Sequence, residues 1–184
     1  MSDASQMEER RGEAFELDQQ LTVIGRKLRP GEPAPPFALE RFDADMDAVT
    51  TVRLADSAGR VRLLNVVNSL DTPVCDVETQ KWEERRTELP ADVHLLTISM
   101  DLPFAQARWC AATDVQHQAL SAHKNEGFGR DYGVLIQEWR LLQRAVFVLD
   151  GDGRVVYADY VADQTAEPDY AVAIAAIRAL STSR

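Results

Sequence analysis

The sequence predicts a single α/β domain in which helices cover both faces of a mixed sheet. Two observations carry that prediction. From about residue 50, short β-branched runs alternate with helical patterns, the order that gives parallel crossovers. Near the C-terminus, Asp150-Gly151-Asp152-Gly153 joins two apolar runs with a strong hairpin signal, which adds an antiparallel pair. A length of 184 residues suffices for one sizeable core. A composition of 45% hydrophobic and 27% charged residues is ordinary for a soluble globular chain.

Taken in order, residues 1–13 read as a disordered lead-in to a domain over 14–184. Ala14–Leu17 and Leu21–Ile24, parted by Asp18-Gln19-Gln20, suggest a small hairpin. The proline-dense stretch Arg29–Pro36 cannot be helix interior and should wrap the surface. Strands are expected near 51–55 and 61–67, followed by a helix from Pro73 to about Leu89. Thr72 suits its N-cap, and Pro73 suits its first position, where the missing N–H has no intrahelical partner. A strand over 93–99 and a helix from Pro103 to about Ala112, capped by Asp101, come next. A short strand near 118–121 and a helix near 125–132 precede the hairpin strands 145–149 and 155–158. An amphipathic helix over 167–180, with Tyr170, Val172, Ile174, Ala175, Ile177 and Leu180, closes the chain and is read as core packing. This is the order of a thioredoxin-like fold with an N-terminal β-hairpin extension.

The net charge of -10 argues against nucleic acid or anionic membrane as a partner. No stretch approaches the roughly 18 apolar residues of a spanning helix. Met1–Glu16 has no apolar central block, so it does not read as a secretory signal, and cytoplasmic residence is expected. Two cysteines are too few for a secreted disulfide scaffold; in a reducing compartment such a pair is either catalytic or inert.

Cys75 falls in the first turn of the helix that follows strand 61–67. Free backbone N–H groups and the positive end of the helix dipole favour a thiolate there. A free thiol, with a pKa of about 8.5, is otherwise only a few per cent ionised at neutral pH. The bland alternative is an inert core cysteine. Asp71, Asp76 and Glu78 would oppose ionisation if they faced the sulfur, so a cation must come from elsewhere. Arg144, at the start of a strand expected in the centre of the sheet, is the candidate; an arginine at a strand end is otherwise simply solvated. Cys110 lies on a different helix, outside any C-x-x-C motif. It is open to resolving an oxidised Cys75 or to packing quietly beside Trp109.

Four strings resemble the bacterial thiol peroxidases, the atypical two-cysteine branch of the peroxiredoxins. They are Asp71-Thr72-Pro73-Val74-Cys75, the run Ser99-Met100-Asp101-Leu102-Pro103-Phe104-Ala105-Gln106-Ala107-Arg108-Trp109-Cys110, Arg144-Ala145-Val146, and Thr165-Ala166-Glu167-Pro168-Asp169-Tyr170. The resemblance runs from about Phe15 to Leu180. It implies that Cys75 is the peroxidatic and Cys110 the resolving cysteine. Thr72 would then hydrogen-bond the attacking sulfur and the peroxide, and Arg144 would be the active-site arginine. It further implies reduction of hydroperoxides through an intramolecular disulfide, thioredoxin as reductant, and a homodimer. No cofactor or metal is expected.

The chain departs from the family's P-x-x-x-T-x-x-C motif, because Asn68 stands where the proline belongs. Asparagine adds a polar side chain and an N–H to a position that shields the reactive sulfur. The loop from Gly133 to Arg144 also reads as shortened. Other signals point to no further chemistry. The turn at Asp150–Gly153 fails the EF-hand frame, since Val148 would fall at the first ligand position. His94, His117 and His123 lack metal-ligand spacing. Trp82, Trp109 and Trp139 read as core or interface residues, with Trp139 a candidate for a pocket rim or dimer contact. Two alternatives to a peroxidase stay open: a non-catalytic thioredoxin-fold redox sensor or binding protein with a weakened site, and a structural disulfide between two helices.

Overall fold

Three parallel strands set the centre of the larger sheet in the computed structural model, which describes residues 8–181. They are β5 (Arg62–Val66), β6 (His94–Ser99) and β7 (Gln118–Ser121). Helices α1 (Pro73–Glu84) and α2 (Pro103–Thr113) form the two crossovers between them. The remaining elements are β1 (Glu9–Glu16), β2 (Gln19–Ile24), β3 (Ala38–Asp43), β4 (Ala48–Arg53), α3 (Gly127–Asp131), β8 (Leu135–Ile136), β9 (Leu141–Leu142), β10 (Ala145–Leu149), β11 (Val155–Tyr160) and α4 (Tyr170–Ser181). The larger sheet has the order β11-β10-β5-β6-β7-β3-β4. A second sheet, β1-β2-β8-β9, is antiparallel throughout. Among the described residues, no helix is long and apolar enough to cross a membrane. The architecture is the thioredoxin-like one expected.

All five residues of β5 are buried, as a strand covered on both faces requires. Leu64, Val66, Ile98 and Phe147 pack on one face with Phe128 and Tyr132. Leu63, Leu95, Val146 and Val148 pack on the other with Trp82 of α1 and Ile174 and Ile177 of α4. The hairpin signal produces the β10–β11 pair. Gly153 takes φ +81° in the turn, and the Asp150 carboxylate accepts the N–H groups of Asp152 (3.0 Å) and Arg154 (2.8 Å).

Several expectations need correction. Residues 9–13, read as disordered, lie in β1; residues 1–7 lie outside the described residues. The charged segment is ordered because Arg10, 6% exposed, donates to the carbonyls of Gly25 and Gly133 (2.9 Å to the latter). Strand β3 was not foreseen, and β4 runs over 48–53 instead of 51–55. The α1 helix ends at Glu84 and tightens into a 3₁₀ turn over Arg85–Glu88. The last helix starts at Tyr170, after Pro168, with the Asp169 carboxylate accepting the Val172 N–H at 3.1 Å. Strand β10 is buried but second from an edge rather than central. Asp101 does not cap α2, whose N-cap is Leu102; its carboxylate is spent on the loop before α1.

A buried polar chain ties the end of α1 to the start of β7. Asn65 Nδ2 donates to Thr97 Oγ1 (3.1 Å), which meets His117 Nε2 (2.8 Å), and His117 Nδ1 meets Glu83 Oε2 (2.6 Å). Burial works to raise the Glu83 pKa, but hydrogen bonds from the His117 side chain and backbone and from Arg86 outweigh it, holding the carboxyl at about 2 against an ordinary 4.5. A depressed folded-state pKa contributes stability that is present above the unfolded value and lost as the pH falls through the folded one. The stability gap between wild type and Glu83→Gln should therefore be full above pH 4.5 and close toward pH 2. Urea unfolding at stepped pH measures it, and a gap independent of pH would contradict this account.

Candidate active site

The site forms where β5 hands over to α1, at the carboxyl ends of the parallel strands. Val67 still pairs with β6, its N–H donating to Ile98 O at 3.0 Å, and the chain leaves the sheet at Asn68. Asp101, just beyond β6, then fixes the loop. It accepts Ser69 Oγ (2.7 Å), the Leu70 N–H (2.8 Å) and Ser99 Oγ (2.7 Å). Thr72 occupies the N-cap position with Pro73 in the first turn, as the sequence predicts. Its hydroxyl does not cap the helix, however; Thr72 Oγ1 donates to Ser69 O at 2.9 Å. Cys75 follows in the first turn, 0% exposed, packed with Val67 and Leu70 and against the half-buried Trp109 and Ala119.

The expected cation is present. Arg144 is completely buried, and its Nη2 donates to Cys75 Sγ at 3.3 Å and to Gln164 O at 3.1 Å. Its Nη1 forms an ion pair with Glu78, which is equally buried. The Arg144 N–H donates to Gln164 Oε1 at 2.9 Å, so backbone and side chain are both held. Glu78 stands one helical turn after Cys75, on the same face of α1. None of the three acids feared near the sulfur faces it unpaired. Glu78 is matched by Arg144, Asp76 accepts Trp109 Nε1 at 3.0 Å, and Asp71 is exposed. A guanidinium stays charged in any protein environment, so a permanent positive charge sits against the Cys75 sulfur.

Beside the start of α1 lies a cavity of about 250 Å³, lined by Asn68, Thr72, Pro73, Trp139, Leu141 and Gln164 among others, and Asn68 both lines it and contacts the Cys75 sulfur. Trp139 thus forms part of a pocket rim. Asn68, in the expected proline's place, is 5% exposed and accepts the Cys75 S–H at 3.8 Å through Oδ1. A larger depression of about 510 Å³, between Arg60, Arg86, Pro90 and His94, lies at the amino ends of β6 and β7 and contains no cysteine.

Cys110 is not brought to Cys75. Both thiols are free, and Cys110 is half-buried in α2 on a cavity of about 180 Å³ that it shares with Phe42, Val115 and His117. Burial, with the nearby Glu83 carboxylate adding to it, pushes the Cys110 thiol up to about 11. It is therefore protonated at neutral pH. The two helices do touch through the cysteines' chain neighbours, since Asp76 and Trp109 are hydrogen-bonded to each other.

Arg144 is thus brought to Cys75, Thr72 lies three residues before it with its hydroxyl bonded to Ser69 O rather than to the sulfur as the resemblance implies, and Cys110 stands apart. Glu78, Gln164 and Asp101 act on the site in ways the sequence reading missed. Glu78 had a usable signal, its position three residues after Cys75 on a predicted helix. Gln164 had none, because its role depends on where the chain after β11 returns.

Known proteins share this arrangement of chain. The redoxin family matches residues 29–174. Thiol peroxidase from Halalkalibacterium halodurans is 45% identical over 160 residues, which cover 86% of this chain and 93% of that protein. Thiol peroxidase from Bacillus subtilis is 43% identical over 161 residues, 87% of this chain and 93% of the relative. Among solved structures, a peroxiredoxin-like protein from Aquifex aeolicus superposes with a TM-score of 0.79 at 30% identity, covering 92% of this chain and 98% of that one. A thiol peroxidase from Chromobacterium violaceum gives 0.77 at 23% identity, over 92% and 95% of the two chains, and there the likeness is one of fold.

Proposed function

The chain belongs to the redoxin family and, within it, to the thiol peroxidases, and from that premise we propose that Cys75 is the sulfur that attacks the peroxide. The enzyme is a thiol-dependent peroxidase of the peroxiredoxin class. The observation that carries the assignment of Cys75 is the 3.3 Å contact from Arg144 Nη2 to its sulfur. A buried guanidinium stabilises the thiolate and can polarise a peroxide oxygen.

The substrates are hydrogen peroxide and organic hydroperoxides. Thr72 has given its own proton to Ser69 O and lines the cavity, so its oxygen is left to accept the hydroperoxide O–H. The Cys75 thiolate attacks the nearer peroxide oxygen and the O–O bond breaks. With a proton, this releases water or an alcohol and leaves a sulfenic acid on Cys75. Cys110 then condenses with it: the S–S bond forms, the S–O bond breaks, and the Cys110 proton leaves with the hydroxyl as water. Thioredoxin reduces the disulfide. We further assign the protein to the cytoplasm and its working form to a homodimer.

Coupled NADPH consumption with thioredoxin, its reductase and either hydrogen peroxide or an alkyl hydroperoxide tests this reading. Wild type should turn over, Cys75→Ser should fall to the uncatalysed background, and Cys110→Ser should consume one equivalent of peroxide and then stall. If wild type turns over no faster than Cys75→Ser, the peroxidase role of Cys75 is lost. A site that oxidises once without cycling would mark a redox sensor.

A further inference from the structure

We propose that Asn68 holds the proton-bearing states of the Cys75 sulfur in the folded pocket, and so prolongs the life of the sulfenic acid before Cys110 resolves it. This rests on the assignment of Cys75 above. The orientation of the Asn68 amide is fixed by two side-chain amides in series. Gln164 Nε2 donates to Val161 O (2.7 Å) and Ala162 O (3.1 Å), which turns Gln164 Oε1 toward the Arg144 N–H and Asn68. Asn68 Nδ2 then donates to Gln164 Oε1 (3.1 Å) and Leu142 O (2.6 Å). A flipped amide would press its oxygen against two acceptors. Oδ1 is thereby committed to the sulfur, 3.8 Å away.

Cys75 Sγ consequently sits between an obligatory donor, Arg144 Nη2, and an obligatory acceptor, Asn68 Oδ1. A thiolate uses only the donor. A sulfenic acid, S–O–H, uses both: it accepts from Arg144 and donates its hydroxyl proton to Asn68. A proline ring at the same position offers the hydroxyl no acceptor. Resolution requires Cys75 to leave this cradle, so the added hydrogen bond slows disulfide formation. Its worth of one net hydrogen bond corresponds to about twofold to tenfold in rate.

The experiment follows the reduced full-length protein after one equivalent of hydrogen peroxide. Dimedone-trapped Cys75 and the Cys75–Cys110 disulfide are quantified by mass spectrometry over time. Asn68→Leu, which keeps the branched heavy-atom shape but offers no acceptor, and Asn68→Pro should both form the disulfide about twofold to tenfold faster than wild type. General loosening of the loop would also speed it, so the ratio of variant to wild-type rates is read against pH. The charged groups around the sulfur are Arg144, Glu78 paired to it, and Asp76 engaged by Trp109; all three are common to wild type and variants. Loss of the sulfenic acid proton at high pH removes what Oδ1 accepts, and the ratio should collapse toward one. Gln164→Met, which removes one anchor of the amide and leaves Asn68 in place, supplies a second variant and should give a smaller increase. Equal rates in wild type and variants, or a ratio independent of pH, overturn the role of Asn68 and leave that of Cys75 standing. Failure of Cys75 to gain oxygen at all overturns the peroxidatic assignment itself.

Discussion

Arg144→Met is expected to lower stability by about 3–5 kcal/mol, because it leaves the Glu78 carboxylate buried without its cation. For a chain of this size that is roughly 10 °C or more in Tm. The cost arises from the stranded charge rather than from the worth of the pair. Both side chains are 0% exposed, and Glu78 Oε1 and Arg144 Nε have no hydrogen-bond partner among the described residues. A pair so incompletely satisfied recovers only part of what its desolvation costs. The double variant Arg144→Met/Glu78→Leu should therefore regain most of the lost stability. It should not regain reactivity with peroxide, since the sulfur still lacks its cation. Thermal unfolding followed by circular dichroism, with single-turnover peroxide consumption on the same samples, separates the two effects. A single variant as stable as wild type would show that Glu78 finds other compensation, and the electrostatic account of the site would fall with it.

The second large effect concerns oxidation. Closing a loop from Cys75 to Cys110 should in principle stabilise the fold by roughly 3–4 kcal/mol, if the native geometry already suits the bond. Here it does not. Cys75 is wholly buried against Arg144, and Cys110 faces a different cavity beside His117. Joining them requires the first turn of α1 to open, with loss of the Arg144 contact and of the Asp76–Trp109 bond. The disulfide form is expected to melt no higher than the reduced protein. A rise of 10 °C on oxidation, reversed by reductant, would instead favour a structural cross-link between two helices.

Much of this is legible in the sequence, for identifiable reasons. Local rules reached the strand–loop–helix around Cys75, because an apolar run, an N-cap residue and a proline in sequence leave few alternatives. They reached the β10–β11 hairpin through its turn residues. Arg144 was reached by asking where a cation had to come from. What stayed hidden depends on contacts distant in sequence. Only Leu39 of β3 is fully buried, and its pairing with β4 and β7 rather than its own pattern makes it a strand. The two-residue strands β8 and β9 exist because β2 lies beside them. Asp101 looked like a helix cap because it precedes Pro103. The loop at Ser69 and Leu70, some thirty residues earlier, competes for the same oxygens and wins.

The polar knot at Asp101 also has a mechanical consequence. Leu70 is tethered to it directly, and Gln106 through Ser99, whose hydroxyl accepts Gln106 Nε2 at 2.9 Å and donates to Asp101 at 2.7 Å. Cys75 therefore hangs five residues from one pivot and Cys110 four residues from another, both bolted to the same anchor. Fully extended, such arms reach at most about 18 Å and 14 Å. While the knot holds, the ring that the two sulfurs must close spans about nine mobile residues rather than thirty-five, which lowers the entropic cost of their meeting by about 1 kcal/mol. Each arm can swing while the sheet that carries both stays still.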